Sequence, residues 1–402
     1  MANHMKHSTL KKRHCMIVHA YYPIGEIRVE REARALLENG YEVDVICLQQ
    51  NGEAAFSMED NVNVYRLPVA RHKGKGIVVQ FFEYLAFFFL AMFKVTSLHL
   101  KRRYNVVQAH NLPDFLIFSA IVPKLSGARL ILDLHDLMPE FYASRFKSGM
   151  NSLPIRLLCW QEKLACLFAD HVFTVTELWR QTLIERGIPA RKISVVMNVA
   201  NDRIFQRSNV TPVAKNGHFN LIYHGQLSQR YGIDLAIRAV DLLRKEIPGI
   251  CLTIHGRGEY LNELRTLTET LGLGTSIQFS TQYVPTTDLP QLIGNAHAGV
   301  VPYRRDIFTD GILPTKMMEY AALGIPVIAA RTTAITAYFD PEMVQFFTPE
   351  DVQDLANSIL SLFKDRDQLA QYAKNIERFN QRYNWKTVAM QYVEVVNRLN
   401  QN

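Results

Sequence analysis

The sequence predicts an α/β protein with two doubly wound parallel sheets, each in its own domain. Short apolar runs of strand length alternate with helical patterns along the chain, an order typical of strand–helix–strand units. Several runs carry almost no polar residue, as expected of parallel strands covered on both faces. A polar stretch at 201–220 interrupts the alternation, which then restarts, and a chain of 402 residues has room for two such domains.

In the first half, seven runs are predicted as strands. A helix ending at Asn39, with Gly40 just past its end, connects the first two strands and completes a strand–helix–strand unit. The predicted strands are 16–19, 43–48, 62–67, 106–110, 129–133, 172–176 and 193–197.

After the polar stretch, five strands alternate with four helices, and the chain is helical from about Asp351. The strands are 221–224, 251–255, 277–279, 299–302 and 326–329, and the helices are 234–245, 260–271, 288–295 and 314–323. We place one domain at 1–203 and a second at 204–381, before a closing helix at about 382–402. Because open parallel sheets bind ligands beyond the carboxyl ends of their strands, we expect the strand-end loops of both domains to line a cleft.

Composition and cysteine spacing limit the classes of protein and of binding partner that the sequence allows. A net charge of +7 and a pI of about 9.0 favour anionic partners, and 48% hydrophobic residues exclude intrinsic disorder. The five cysteines show no C-x-x-C pair or zinc spacing, which indicates reduced, structural thiols in a cytoplasmic protein. The first apolar run stops at Pro23 and is too short for a signal-peptide core.

The segment 77–95 raises a membrane question. It holds ten uncharged, mostly apolar residues from Tyr84 to Phe93, between Glu83 and Lys94. That is fewer than the about 18–20 apolar residues of a spanning helix. Two interpretations remain: a core-facing helix, or a helix whose aromatic face also contacts lipid on the inner face of the cytoplasmic membrane. Cationic flanks favour the second, on an anionic leaflet. They are Arg71, His72, Lys73, Lys75 and 101–103.

In the first half, two strand-end loops carry polar chemistry. His135 lies between Asp133 and Asp136, and flanking carboxylates can orient a histidine for sugar hydroxyls or for proton transfer. His110 is similarly placed, with fewer polar neighbours. Gly25 follows the first strand, where a glycine either lets the backbone approach a ligand or simply makes a turn.

In the second half, two loops bring cations to strand ends. Arg230 precedes a helix start after the first strand, and Gly256-Arg257 follows the next strand. A cation at a helix N-terminus suits phosphate, and a surface salt bridge is the alternative for each arginine.

The most informative segment precedes the helix at 314–323. Pro314 suits the first helical position, so the preceding amides would lie at the positive helix end, ready for a diphosphate. Lys316 and Glu319 share one helix face, and a carboxylate there can accept two hydrogen bonds from a ribose diol. An ordinary surface ion pair is the alternative, but it does not explain the loop. The loop residues are Asp310, Gly311, Ile312 and Leu313.

Together these motifs resemble glycosyltransferase family 4, retaining enzymes of the GT-B type, in its bacterial surface-polysaccharide branch. The resemblance rests on 313–320 with 324–327, on Tyr223-His224-Gly225, on 132–136 and on Asn384-Trp385. It implies two Rossmann-like domains, with the closing helix packed back on the first. It also implies retaining transfer from a UDP- or GDP-linked sugar to a glycan or lipid-linked acceptor, without a metal or other cofactor.

The resemblance also implies roles by position. Glu319 matches the carboxylate at the donor ribose, 311–313 match the amides at the phosphates, and His135 matches the histidine at the transferred sugar. Gly25 matches a glycine near the diphosphate. Two positions depart from the family. The first of its paired glutamates falls on Gly311, beside Asp310, and its phosphate-binding Arg and Lys fall on Gln226 and Tyr231, beside Arg230.

Two other functions stay open. A nucleotide-sugar epimerase of the same fold would need no acceptor, and the apolar segment argues against it. A non-catalytic nucleotide-sugar-binding protein would fit the incomplete acid pair. Nucleic acid is not expected, because the basic residues near Arg71 and Lys101 flank an apolar helix and not a stacking groove. No Asp-x-Asp motif occurs in the predicted cleft loops, so no metal is expected.

Overall fold

The computed structural model describes residues 12–71, 76–209 and 218–401. The chain divides into two compact units. Unit 1 comprises Met1–Met197 with Val388–Asn402, and unit 2 comprises Asn198–Thr387. The division between residues 197 and 198 falls six residues before the predicted boundary at 203/204, and just before the polar stretch at 201–220. Residues 210–217 of that stretch, and His72, Lys73 and Lys75 of the cationic flank, lie outside the described residues.

Unit 1 contains an eight-stranded sheet of order β3-β4-β2-β1-β5-β6-β7-β8, in which only the β3–β4 pair is antiparallel. The strands predicted from apolar runs are present within a few residues, because those runs are buried on both faces. The strands are β1 Lys12–Val18, β2 Tyr41–Leu48, β3 Phe56–Glu59, β4 Val62–Leu67, β5 Val106–His110, β6 Arg129–Leu134, β7 His171–Thr174 and β8 Ile193–Val195.

Six helices of unit 1 connect these strands, and a seventh comes from the end of the chain. They are α1 Ile27–Glu38, α2 Ile77–Arg102, α3 Ile121–Leu125, α4 Met138–Arg145, α5 Leu153–Phe168, α6 Glu177–Glu185 and α15 Trp385–Gln401. The last helix packs on the first sheet: the Tyr392 hydroxyl donates to Gln108 Oε1 of β5 at 2.8 Å, and the Tyr41 hydroxyl of β2 donates to Asn397 Oδ1 at 2.8 Å.

Unit 2 contains a six-stranded parallel sheet of order β11-β10-β9-β12-β13-β14. Its strands are β9 Phe219–His224, β10 Ile250–His255, β11 Ile277–Ser280, β12 Ala298–Val301, β13 Val327–Ala330 and β14 Gln345–Phe347. Its helices are α7 Ile233–Leu243, α8 Leu261–Thr270, α9 Leu289–Gly294, α10 Thr315–Leu323, α11 Thr333–Tyr338, α12 Val352–Lys364, α13 Arg366–Asn375 and α14 Glu377–Arg382. The predicted fold class, α/β with two doubly wound sheets, is confirmed.

Each sheet has a point where the strand order reverses. In unit 1 the chain builds outward from β1 on one side and then returns to place β5 on the other side. In unit 2 the same reversal separates β9 from β12. Diverging loops leave a crevice at such a point, beyond the carboxyl ends of the two strands. The polar residues singled out from the sequence should therefore gather at these two points.

Candidate functional site

In unit 2, Glu319 lies on α10 beside the end of β9. His224 is the last residue of β9, and its Nε2 lies 2.5 Å from Glu319 Oε2. Its Nδ1 lies 2.9 Å from the hydroxyl of Tyr320 on the same helix. The histidine is buried, whereas the carboxylate is partly exposed. One face of the Glu319 carboxylate is thus held by the protein, and the other is available to a ligand.

Lys316 lies one turn from the start of α10 and is almost fully buried. Its Nζ donates to the Tyr303 hydroxyl at 2.7 Å, and the faces of three tyrosine rings surround it. The ring centroids of Tyr223, Tyr231 and Tyr303 lie 5.0, 5.3 and 4.9 Å from Nζ. Burial lowers the pKa of Lys316 to about 8, and the charge of nearby Glu319 opposes that shift only in part. The alternative interpretation, an ordinary surface ion pair, does not fit, because the buried ammonium is surrounded by aromatic rings.

The loop before α10 divides into free and occupied amides. The Gly311 N–H donates to Phe308 O at 3.0 Å, so this amide is not open to a phosphate. The N–H groups of Ile312 and Leu313 donate to no acceptor in the described part of the chain. Pro314 was predicted at the first helical position, but the helix begins at Thr315. Pro314 is its N-cap and has an extended backbone. Two of the three predicted amides are thus available at the positive end of α10.

Asp310 has a structural task. Its Oδ1 accepts from the Thr333 N–H at 2.9 Å, and its Oδ2 accepts from the Thr333 hydroxyl at 2.7 Å. The Arg305 Nε lies 2.9 Å from Oδ1. The carboxylate therefore fixes the start of α11 and balances Arg305. That it also replaces the missing first glutamate stays a prediction.

Two glycine loops bring backbone close together at the ends of β9 and β10. Gly225 has φ +118°, and a Cβ there would lie 3.3 Å from Lys316 Cε. Gly256 has φ +146°, and its Cβ would overlap Gly225 O at 1.8 Å. Next to it, Arg257 donates through Nε to Thr281 O at 2.7 Å, and Arg230 is half-buried over the Phe308 ring at 5.5 Å. Both arginines lie at the carboxyl edge of the sheet, as predicted.

In unit 1, Asp133 is the centre of a buried polar cluster at the ends of β1, β5 and β6. Its Oδ1 accepts from Arg28 Nη2 at 2.8 Å. Its Oδ2 accepts from Arg28 Nε at 2.9 Å, and the ring nitrogens His110 Nδ1 and His135 Nε2 lie 3.0 and 3.1 Å from it. Each imidazole can donate to this carboxylate oxygen through the nitrogen that faces it, and the two nitrogens lie 3.2 Å from each other.

The cluster separates the charge states of its two histidines. Burial opposes the charge of Asp133, but Arg28 and His135 outweigh it and hold the pKa of this carboxyl well below its usual value. Burial also disfavours charge on His135, yet the Asp133 carboxylate prevails and raises the pKa of His135. For His110 burial wins and lowers its pKa. Of the two histidines, His135 is therefore the one whose charged form the cluster favours, and it is also the partly exposed one.

The surroundings of His135 fix its direction. Its backbone N–H donates to Asn111 Oδ1 at 2.8 Å, and its outer nitrogen Nδ1 lies 3.7 Å from Glu26 Oε1. Gly25, next to Glu26, donates to Tyr21 O at 2.9 Å, and a Cβ there would lie 2.5 Å from that oxygen. Gly25 thus makes a tight turn that brings Glu26 to His135. The turn interpretation is present in the structure, and contact of Gly25 with a diphosphate stays a prediction.

One group of side chains has the composition of a metal site. Ligand atoms of His110, Asp133 and His135 lie within 4.8 Å of one another. Both Asp133 oxygens, however, accept from the Arg28 guanidinium, whose charge would repel a cation. The donor set therefore fits a divalent ion poorly.

Sequence reasoning missed three side chains that organise these sites: Arg28, His224 and Tyr303. Arg28 lies on α1 and meets Asp133 across 105 positions of sequence, so no local pattern marks it. His224 was read as part of a family motif, without a role. A signal for it existed, since it ends a buried strand directly before a glycine.

Two doubly wound units with polar clusters at their switch points form a two-domain α/β protein, in which ligand sites are expected beyond the carboxyl ends of the strands. The model of the Glycosyl transferase 4-like domain matches residues 25–198, and that of Glycosyl transferases group 1 matches residues 207–379. The chain therefore belongs to the group 1 glycosyltransferases, which have the GT-B fold.

Individual proteins agree with this family. The chain is 25% identical over 244 residues to the amylovoran biosynthesis glycosyltransferase AmsK of Erwinia amylovora, covering 58% of each chain. It is 33% identical over 112 residues to a GDP-mannose-dependent phosphatidylinositol monomannoside mannosyltransferase of Mycolicibacterium smegmatis, covering 27% of this chain and 28% of that one. Both matches span less than two thirds of the relative. A crystal structure of HepE from Anabaena in complex with UDP-glucose has a TM-score of 0.70 at 17% identity, covering 96% of this chain and 99% of that one.

Proposed function

We propose that the protein is a retaining glycosyltransferase that moves a sugar from a nucleotide-diphosphate sugar to a lipid-linked or surface-polysaccharide acceptor. One observation carries the proposal. The start of α10 combines two free amides, the caged ammonium of Lys316 and the half-open carboxylate of Glu319 at the switch point of unit 2. This set offers positive charge for a diphosphate and an acceptor for a ribose diol within about one helical turn.

Each residue has one task in the proposed donor site. Glu319, held by His224, accepts hydrogen bonds from the two ribose hydroxyls. The amides of Ile312 and Leu313 and the helix end meet the phosphate oxygens. Lys316 supplies a positive charge from the first turn of α10, and Arg230 supplies a second one from the loop after β9. These charges are fixed before the donor binds, so little reorganisation opposes the reaction.

The chemical step needs stabilisation of the leaving group above all. The bond between the anomeric carbon and the phosphate oxygen breaks, and the diphosphate takes the electron pair. An acceptor hydroxyl oxygen bonds to the anomeric carbon on the same face, and its proton passes to the departing phosphate oxygen. Lys316, Arg230 and the amides stabilise the growing charge on that diphosphate. Retention of configuration follows from attack on the same face, and it is supported by resemblance to family 4.

From the resemblance to family 4, His135 is proposed to contact the transferred sugar. The raised pKa favours the protonated form of His135, in which both ring nitrogens donate, and Asp133 keeps its Nε2 turned inward. Its outer Nδ1 is then the atom that can donate to a sugar hydroxyl. His135 is the contact to substrate, while Asp133, Arg28 and His110 position it.

The donor and acceptor are proposed at the level of class. The relatives' names include a GDP-mannose-dependent enzyme acting on a phosphatidylinositol glycolipid and an exopolysaccharide enzyme, and the HepE structure holds UDP-glucose. We therefore propose a UDP- or GDP-linked hexose and an acceptor on a lipid or polysaccharide. We also propose that no metal takes part, because the donor site uses fixed cations and Asp133 is already paired with Arg28.

The test joins donor binding to transfer. Thermal unfolding is recorded with UDP, GDP and a panel of UDP- and GDP-sugars, since a ligand bound only by the folded state raises the melting temperature. Sugar transfer is then followed with a lipid-linked acceptor for wild type, Glu319→Ala and His135→Ala. Glu269→Ala, an exposed change on α8, serves as the control.

We expect one nucleotide family to shift the melting temperature, Glu319→Ala to lose that shift, and His135→Ala to keep the shift but lose transfer. Turnover with EDTA should equal turnover without it. An isomerised sugar formed from donor alone would replace the proposal by the epimerase function. Donor binding without transfer to any acceptor tested would replace it by the non-catalytic binding function.

A further inference from the structure

Three segments of unit 1 form one layer on the same side of its sheet: α2, the 3₁₀ segment Asp114–Ala120 with α3, and α5. The 3₁₀ segment packs between the two long helices. Phe115 contacts Phe88 of α2 with ring centroids 5.9 Å apart, and Phe118 contacts Phe168 of α5 at 5.0 Å. The outer surface of α2 and α5 is therefore continuous through this segment.

One stripe of α2 faces the sheet and is buried. Tyr84, Phe87, Ala91 and Val95 recur at helical spacing and are all buried. Glu83 belongs to this inner side, where its Oε1 lies 3.1 Å from Nε2 of buried His19. The core-facing interpretation of this helix is thus correct for one of its faces.

The outer faces of α2 and α5 carry an unusual number of exposed large apolar side chains. Phe82 is 64% exposed, Phe93 68% and Trp160 63%. We call this surface the apolar face. It consists of Val78, Phe81, Phe82, Phe89, Leu90, Phe93 and Leu100 on α2, and Leu153, Leu157, Trp160, Leu164 and Leu167 on α5. The aromatic face seen in the sequence is therefore only half of this surface, because α5 adds the other half.

The exposed charges of the segment that carries the apolar face have one sign. From residue 76 to residue 168, all of which the structure describes, every carboxylate is buried or half-buried. All fully exposed charged side chains in this stretch are cationic: Lys101, Arg103, Arg145, Lys147, Arg156 and Lys163. Arg71, just before α2, is exposed too. A large apolar surface whose own segment exposes only cations fits a surface that is apolar inside and anionic outside.

We infer that the apolar face docks on an anionic lipid bilayer, with α2 and α5 lying in the plane of the interface. Aromatic and leucine side chains would enter the acyl boundary, and the surrounding lysines and arginines would meet the headgroups. A second copy of the chain is a poorer occupant. A two-fold interface places the same patch on both partners, so the cations of each copy would face those of the other.

Spanning by α2 is also a poorer solution, although Val78–Arg102 is long and apolar enough to cross a membrane. A spanning α2 would leave the sheet of unit 1 uncovered and would separate Glu83 from His19. It would also place Glu83 and Lys94 in hydrocarbon, where charges are costly. Lying on the surface keeps the buried stripe in the core and exposes only the apolar face to lipid.

The face also has a direction relative to the polar cluster of unit 1. His19 directly follows β1, so its contact with Glu83 places the first turns of α2 at the carboxyl edge of the sheet. Val78, Phe81 and Phe82 therefore lie at the same edge as His135. A lipid-linked acceptor held in the leaflet would reach the cluster from this side. That last step rests on the proposed function, whereas docking itself does not.

The test measures vesicle binding of the full chain without donor or acceptor. Flotation uses phosphatidylcholine vesicles with and without about one third phosphatidylglycerol, at low and high salt. The variants are Phe82→Ser/Phe93→Ser/Trp160→Ser for the apolar part and Arg156→Glu/Lys163→Glu for the charges. The control is Leu242→Ser, an exposed leucine of unit 2. Trp160 is a direct probe, because entry into lipid shifts its fluorescence to the blue and exposes it to brominated acyl chains.

We expect binding to anionic vesicles and little binding to neutral ones. The triple variant should bind at least tenfold more weakly, and each removed cation should weaken binding about fivefold. Circular dichroism and thermal unfolding check that the variants fold. No binding to anionic vesicles, or equal binding by the triple variant, overturns the inference. Concentration-dependent dimers that the triple variant abolishes would assign the face to a second copy.

Failure of docking is distinguishable from failure of the proposed function. Transfer to a short, water-soluble acceptor analogue should be unchanged in the triple variant, because none of its three residues belongs to the proposed site. Loss of vesicle binding with intact transfer to that analogue concerns the apolar face alone. Absence of any transfer with intact vesicle binding concerns only the proposed function.

Discussion

The caged ammonium of Lys316 makes donor use depend on pH in an unusual range. Burial lowers the pKa of Lys316 to about 8. In the free enzyme the side chain is then about nine-tenths charged at pH 7 and about one-tenth charged at pH 9. If a charged Lys316 is needed for the diphosphate, kcat/KM for the donor falls about tenfold between these pH values. Ordinary exposed lysines stay charged through this range, so none of them would cause the loss.

The decisive variant is Lys316→Met, which keeps the length of the side chain inside the cage of Tyr223, Tyr231 and Tyr303. At pH 7 the loss of a charged contact to phosphate should lower kcat/KM for the donor by about 10- to 100-fold. At pH 9 the wild type has lost most of its own charge, so the ratio between the two proteins should shrink about tenfold. Initial rates at subsaturating donor from pH 6.5 to 9.5 give both curves. Lys245→Met, a change at the exposed end of α7, is the matched control.

Protein stability gives an independent reading of the same group. A lysine whose pKa is lowered in the folded state binds fewer protons there than in the unfolded chain. The unfolding free energy of wild type relative to Lys316→Met should therefore rise with pH from about 8 to about 10.4. A wild-type kcat/KM that stays flat to pH 9.5, or an identical alkaline decline in Lys316→Met, would refute the assignment of the ammonium to the diphosphate.

Three further changes test the supports of the two sites. His224→Gln should raise the donor KM about tenfold or more with a smaller effect on kcat, because Glu319 loses its histidine partner at 2.5 Å. The control is His297→Gln at the other edge of the sheet, which should leave KM unchanged. Arg28→Met leaves the buried Asp133 carboxylate without its cation and removes the contact to Glu32, whose pKa burial raises to about 8, and should cost about 3–5 kcal/mol in urea unfolding. A loss below about 1 kcal/mol would contradict the pairing. Gly232→Ala places a Cβ 1.9 Å from Pro302 O, whereas at Gly272, which has a similar positive φ, a Cβ would meet open space. Gly232→Ala should therefore be more destabilising than Gly272→Ala by about 1–3 kcal/mol. Equal losses of stability would show that the contact with Pro302 does not matter.

The fold was predictable because most of its strands are buried and therefore appear in the sequence as short, mostly apolar runs. Runs such as 62–67 and 106–110 are mostly buried, and the structure reproduces those two bounds. Two edge strands were missed. One is β3, Phe56–Glu59, an antiparallel strand whose Phe56 and Met58 are exposed, and the other is β14, Gln345–Phe347, which has only three residues. An edge strand covered on one side carries no continuous apolar signal, so sequence alone could not separate it from a loop.

The site was predictable at strand ends but not in its partners. The positions of Glu319, Lys316, Arg230 and His135 at carboxyl edges follow from the strand order. That Lys316 would point into three tyrosine rings, or that Arg28 would hold Asp133, depends on residues far apart in sequence. Asp310 shows the opposite limit: its spacing suggested a ligand contact, but its oxygens are committed to Thr333 and Arg305.

The balance of buried charge separates the roles of the two polar sites. In unit 1, buried Arg28 lies 2.8 Å from the Asp133 carboxylate and 3.1 Å from Glu32, so this cation has a counterion within the protein even though burial raises the pKa of Glu32 to about 8. In unit 2, no carboxylate in the described part of the chain lies within ion-pair distance of Lys316, whose Nζ bonds only to the Tyr303 hydroxyl. Three aromatic faces soften the cost of that buried charge but do not neutralise it. A buried cation without a counterion is costly for the folded protein, and an anion bound at the start of α10 would remove that cost. The free-energy cost of burying the Lys316 charge without a counterion is therefore the strongest physical reason to place the anionic ligand in unit 2 and not beside Asp133.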